Sequence, residues 1–413
     1  MKNIVPLAIL FFAWQLSADA QTFTRTNAQQ LLLTNEDSLM LGSSTQKTVI
    51  SGYGSVAFQR NFNKQQSTVT LERAVLFVGH QFSPRISFFS ELEIENAKVE
   101  GGLSNNAEIA MEQAFLKFNI NAHQYLIAGL FTPRIGILNE NHLPVNFNGV
   151  ERPMVETRII PATWRELGIG FYGNSEKIPL NYSIALVNGL DGAKFEHGDG
   201  IRGGRAEGNL ASMNNIALTA ALQYFWRNLK FQVSAYGGGT VTSNPIIADS
   251  LKLRGGAFGT PLYLGEADVQ YEHNAWTAKV LAVYIAYPDA GKINMVYKNN
   301  MATGMNGFYA ELAYNWLFEK KTKASFISFT RLEVLNMNSS IAADGEGIYD
   351  GTEKLTHLIM GFGYLPIPNV VIKADVRLLH TGPQNPALAL NPAQTLPYQQ
   401  NNQFLNIGIG YSF

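Results

Sequence analysis

Between Thr132 and Arg165 the chain gathers side chains that could bind and sort ions. Arg134, Glu140, Glu151, Arg152, Glu156, Arg158 and Arg165 fall there, with Glu166 just beyond. Pro133, Pro144, Pro153 and Pro161 stiffen the same stretch. Guanidinium groups recognise phosphate-like and carboxylate anions through paired N–H donors. Set around a narrow aqueous passage, such groups and their acidic neighbours would fix ion preference. On an open surface they would pair with one another and do nothing more.

Other chemistries find little support. The chain has no cysteine, which removes thiolate nucleophiles, thiolate metal sites and disulfides. The seven histidines are scattered, without H-E-x-x-H spacing, and no G-x-S-x-G is present. Gly168 to Gly173 matches G-x-G-x-x-G, but it reads as part of a strand followed by a turn, not as the strand-to-helix crossing a dinucleotide needs. A net charge of -1 gives no reason to expect nucleic acid. No enzyme activity, cofactor or metal is therefore expected.

The elements that would position the charged stretch are strands. Leu405, Ile407, Ile409, Tyr411 and Phe413 alternate with small and polar residues. Val370, Ile372, Ala374, Val376 and Leu378 alternate with Lys373, Asp375 and Arg377. Leu92 and Ile94 alternate with Glu91, Glu93 and Glu95, and Ala267 and Val269 with Glu266 and Asp268. In a membrane barrel the apolar face meets lipid and the charged face lines a wet lumen. On that reading Glu91, Glu93, Glu95, Glu266, Asp268, Lys373, Asp375 and Arg377 are pore-lining and solvated.

About sixteen strands are expected, beginning near residues 48, 68, 85, 109, 124, 166, 180, 215, 229, 262, 275, 306, 324, 355, 370 and 403. The links alternate between short turns and long loops, the longest at 132–165. A soluble sandwich gives no reason for that asymmetry; a barrel with tight turns on one side of a membrane does. Aromatics near strand ends, among them Tyr53, Phe131, Tyr172, Trp226, Trp276, Tyr284, Tyr287, Trp316 and Tyr411, would form interfacial girdles. Charged residues make up only 15% of the chain, which also suits a lipid-facing wall. The fold class is thus all-β: a transmembrane antiparallel up-and-down barrel with an inward-folded constriction loop.

The first twenty residues read as a signal peptide, with Lys2, an apolar run from Ile4 and Ala18-Asp19-Ala20 before the cleavage point. Residues 21–47 do not alternate and read as a periplasmic N-terminal extension or a plug, with a short helix expected from Gln29 to Met40. Residues 48–413 form the barrel.

Several short motifs follow one another in a telling order: Gly129-Leu130-Phe131-Thr132-Pro133, Glu151-Arg152-Pro153, Leu167-Gly168-Ile169-Gly170, Val187-Asn188-Gly189, Gly307 to Glu311, and Gly363 to Val370. From about Ile50 onward the chain resembles the phosphate-selective porin O/P family, in the form common in Bacteroidetes. The resemblance implies a sixteen-stranded barrel, usually a homotrimer, with a loop folded into the pore. It implies passive passage of small ions and solutes through the outer membrane of a Gram-negative bacterium. The terminal Phe413 looks like the signal read by the barrel-insertion machinery. The acidic run Glu91, Glu93 and Glu95 departs from the Arg- and Lys-rich lining of phosphate-selective members, so the resemblance supports a porin more than phosphate selectivity. Two other readings stay open: a non-conducting barrel serving as adhesin or envelope scaffold, and an outer-membrane hydrolase.

Overall fold

The computed structural model describes residues 24–30, 48–95, 108–320, 322–343, 347–386 and 399–413. The proposed signal peptide lies outside them. Among the described residues sixteen strands follow one another round a closed ring. They are β1 (Thr48–Asn61), β2 (Gln66–Ser83), β3 (Ile86–Glu95), β4 (Glu108–Asn119), β5 (Gln124–Phe131), β6 (Glu166–Asn174), β7 (Leu180–Asn188) and β8 (Ile216–Trp226). The second half holds β9 (Leu229–Gly238), β10 (Leu262–His273), β11 (Trp276–Ala286), β12 (Gly304–Asn315), β13 (Ser325–Ser340), β14 (Lys354–Ile367), β15 (Val370–Thr381) and β16 (Asn401–Ser412). Every neighbouring pair is antiparallel, and β1 closes on β16 with Tyr53 opposite Ser412. Each strand begins within two residues of its expected position. Closure leaves no sheet edge, so every strand's backbone groups find partners without water.

The outward face is apolar, as the alternation requires. Leu92, Ile94, Ile169, Leu186, Leu218, Val233, Val280, Ile372 and Ile409 all point out. Trp226, Trp276, Tyr284, Trp316 and Tyr411 join them on that face. Tyr53, Phe131, Tyr172 and Tyr287, expected in the same girdles, instead turn inward and are buried.

The inward face corrects the expectation of a uniformly wet lumen. Leu264, Leu281, Val283, Ile285 and Leu335 point inward and are buried with Ile159, Ile160, Trp164, Leu190, Phe195 and Ile293 from the long loops. Where loops pack against the wall, water is excluded, and apolar side chains are favoured there as in any core. Period-two alternation identifies the strands but does not say what covers the inner face.

Of residues 21–47, the described part is 24–30, with a short helix α1 (Asn27–Gln30). The N–H of Ala28 donates to Ser51 Oγ at 3.1 Å, and Thr24 and Asn146 exchange two hydrogen bonds of 2.9 Å. Ser51 points into the barrel and Asn146 belongs to the 132–165 loop, so this stretch packs inside the barrel beneath that loop. The rest of the expected helix to Met40 lies outside the described residues.

Candidate functional site

The connection from β5 to β6 crosses the barrel. Its course is fixed by backbone groups that find charged side chains on distant strands. Near β9 and β10, Gly136 donates its N–H to Glu266 Oε2 at 3.4 Å, and Gln232 Nε2 donates to the Gly136 carbonyl at 2.9 Å. Gly136 has a φ of +73°, and a Cβ there would stand 2.9 Å from Glu156 Oε2, so glycine is required. On β12 and β13, Asn148 donates to Glu311 at 2.9 Å, Arg331 donates to the carbonyls of Asn148 and Glu151, and Val155 donates its N–H to Glu333 at 3.1 Å. On β15, Lys373 Nζ donates to the carbonyls of Phe147 at 2.7 Å and Gly149 at 2.8 Å. Beside it Asp375 accepts the N–H of Val150 at 2.7 Å, and Arg377 pairs with Glu151.

The segment is also held within itself. Glu156 accepts the N–H groups of Ile137 at 2.9 Å and Leu138 at 2.6 Å, together with the Tyr309 hydroxyl at 2.7 Å. Those donors favour the charged carboxylate, but burial outweighs them and pushes the Glu156 carboxyl up to about 7. Asn139 bridges the two ends of the loop, donating to the carbonyls of Pro133 at 2.7 Å and Trp164 at 3.0 Å while accepting the Trp164 N–H.

The four arginines of the loop do not form one ring of charge. Arg134 pairs with Glu140 at 2.8 Å and lies over the Tyr172 ring. Arg158 reaches away to the Gly198 carbonyl and Glu353. Arg165 pairs with Glu112 at 3.5 Å and Glu207 at 3.3 Å. Arg152 alone of the four faces a cavity of about 180 Å³ that remains between the loop and the β1, β2, β15 and β16 wall. Glu72, Arg73, His142, Glu151 and Lys373 share that lining. Burial pulls the Arg152 guanidinium down and pushes the Glu151 carboxyl up.

The strand charges read from sequence sit where the loop lands. Glu91, Glu93, Glu266, Asp268, Lys373, Asp375 and Arg377 all face inward and are buried. Their neighbours include loop backbone and loop side chains, not open water alone. Glu95 stands opposite Arg73 in the β2–β3 register. Sequence reasoning missed Arg331 and Glu333, although both lie on the inward face of the Arg331–Val334 alternation. It also missed Glu112, for a better reason. The β3–β4 register slips between Glu91–Gln113 and Leu92–Met111, so Glu112 occupies a bulge that breaks the period of two. The bulge turns Glu112 inward, 1% exposed, beside His142.

No family model matches the chain. A protein of Aquifex aeolicus (strain VF5), described as an uncharacterized protein, is 30% identical over 338 residues, covering 79% of this chain and 74% of its own. Solved structures show the same architecture at low identity. OprB of Pseudomonas putida aligns with a TM-score of 0.54 at 10% identity, over 89% of this chain and 94% of its own. The anion-selective porin of Comamonas acidovorans gives 0.51 at 10% identity, over 89% and 99%. OmpT of Vibrio cholerae gives 0.51 at 10% identity, over 91% and 100%. The barrel is therefore of porin type in its fold, and the chain belongs to the family of the Aquifex aeolicus protein.

Proposed function

We propose that the protein is an outer-membrane porin through which small hydrophilic solutes and ions diffuse passively, narrowed by residues 132–165. The observation that carries this reading is the loop's path: it is pinned to the far wall and leaves a charge-lined cavity on one side. The apolar outer face supports residence in lipid, and the N-terminal twenty residues support export to the outer membrane of a Gram-negative bacterium. Insertion through Phe413 and assembly as a homotrimer accord with the resemblance to the phosphate-selective porin O/P family of Bacteroidetes.

Arg73, Arg152 and Lys373 outnumber Glu72 and Glu151 in the cavity lining, which supports a mild preference for anions, phosphate-like or carboxylate solutes included. Protein folded in detergent and added to planar bilayers should give discrete ohmic steps. A salt gradient should give a reversal potential of the sign for anions.

The buried apolar packing between the long loops and β10 to β13 favours a second reading, a barrel that spans the membrane without conducting. Silent bilayers from correctly folded protein would decide for it. Neither reading assigns the barrel a catalytic role, and turnover in a hydrolase assay on the folded protein would contradict both.

A further inference from the structure

The bulge at Glu112 creates a cluster that the diffusion role does not use. His142, from the loop, points its Nε2 at two carboxylates on the wall: Glu91 Oε1 at 3.0 Å and Glu112 Oε2 at 3.6 Å. The three donor atoms all lie within 4.8 Å of one another, and all three residues are buried. Ligands held about 2.0–2.2 Å from a zinc-class ion stand roughly 3.0–3.6 Å apart in tetrahedral or octahedral geometry. The two distances from His142 fall in that range.

Three further observations point the same way. His142 Nδ1 lies 3.2 Å from the Asn139 carbonyl. That contact makes Nδ1 the donor, so a metal ion at Nε2 would take the place of a proton there, the arrangement of a metal-bound histidine. Gln113 Nε2 donates to the other oxygen of Glu91 at 2.7 Å and so fixes how that carboxylate points. Glu112 Oε2 is buried and takes no hydrogen bond from an amide, hydroxyl or guanidinium, its group lying against the carboxyls of Glu91 and Glu93, although Oε1 has both the Thr163 hydroxyl and Arg165. A buried carboxylate oxygen left without a donor is costly unless something positive meets it.

Each nearby arginine already has partners. Arg73 faces Glu93 at 3.4 Å, and Arg165 is shared between Glu112 Oε1 and Glu207. Arg152 donates to the His142 carbonyl and lines the cavity. His142 lines the same cavity, which gives an ion a route in.

We propose that Glu91, Glu112 and His142 bind one divalent transition-metal ion of the zinc class, which ties the 132–165 loop to β3 and β4. One nitrogen and two oxygen donors suit zinc, cobalt or manganese better than the all-oxygen preference of calcium or magnesium. The site is independent of whether the barrel conducts.

The test uses full-length protein folded in detergent, stripped with chelator, dialysed and titrated with Co²⁺. Visible d–d bands should saturate at one equivalent per chain, and Zn²⁺ should bleach them. His142→Ala and Glu112→Gln should each abolish the stoichiometric bands while keeping the heat-modifiable migration of a folded barrel. Glu112→Gln preserves shape and can carry the test if His142→Ala does not fold. Gln113→Ala should weaken Co²⁺ about 10- to 100-fold through loss of Glu91 orientation. Folded wild-type protein that takes up no stoichiometric Co²⁺, or bands undiminished in a folded variant, would overturn the proposal and leave a plain His142–Glu91 ion pair.

Discussion

The backbone N–H of Val155 donates to the Glu333 carboxylate at 3.1 Å, and Glu333 stands on β13, halfway round the ring from β5, where the loop begins. A segment that reaches the opposite wall divides the lumen. Glu333 also takes Arg331 Nε at 2.8 Å, and Arg331 reaches Glu311 at 3.1 Å, so one carboxylate joins the loop to a buried charge network. Glu333→Ala would leave a buried N–H unpaired, at a cost of about 1–3 kcal/mol. The expected result is a noisier, larger conductance and a lower unfolding temperature in detergent; an unchanged channel would show that the anchor does not hold the loop.

Trp164 tests the apolar half of the same anchorage. It is fully buried, its ring lies 4.8 Å from that of Tyr236, and its indole N–H donates to Glu166 at 2.7 Å. Trp164→Ala should cost about 3–5 kcal/mol and expose the loop to protease added to the folded barrel. Protection equal to wild type would mean that polar anchors alone suffice.

Glu156 should make the loop sensitive to pH. Its folded-state pKa of about 7 lies above the ordinary value of 4.5, so the folded state binds the proton more tightly. The resulting stabilisation is complete below pH 4.5 and is lost as pH rises through 7, a change on the order of 3 kcal/mol. Hydrogen exchange of the Ile137 and Leu138 amides should therefore show the opening free energy falling from pH 4.5 to 7.5. Glu156→Gln should flatten that dependence; a slope that persists in the variant would assign it to another group.

Arg152 should set part of the charge preference. It faces the cavity with Arg73 and Lys373, against Glu72 and Glu151. Arg152→Gln should move the reversal potential in a salt gradient toward cations while leaving the barrel folded. A reversal potential identical to wild type would place the ion path elsewhere.

The barrel was legible because its signal is local. Outward residues must be apolar along every strand, and Val370 to Leu378 shows that in five alternate positions. Which inward residues matter was not legible, because that depends on where a distant loop lands. Lys373 and Asp375 were visible as inward charges, yet their partners Phe147, Gly149 and Val150 lie more than two hundred positions away. Glu112 was hidden by its bulge, and His142 by its place in a loop without periodicity. The loop arginines were legible as charges, but only the fold separates Arg152, at the cavity, from Arg158, which turns to Gly198 and Glu353.

The most direct test of the central claim, that the loop between β5 and β6 narrows an open passage, is to delete residues 140–154 and record single channels. The deletion removes the contacts to Glu311, Asp375 and Lys373 while leaving every strand intact. Single-channel conductance should rise above that of the wild type, and the reversal potential should move toward that of an unselective pore. Steps of unchanged size and selectivity from the folded deletion variant would contradict the account.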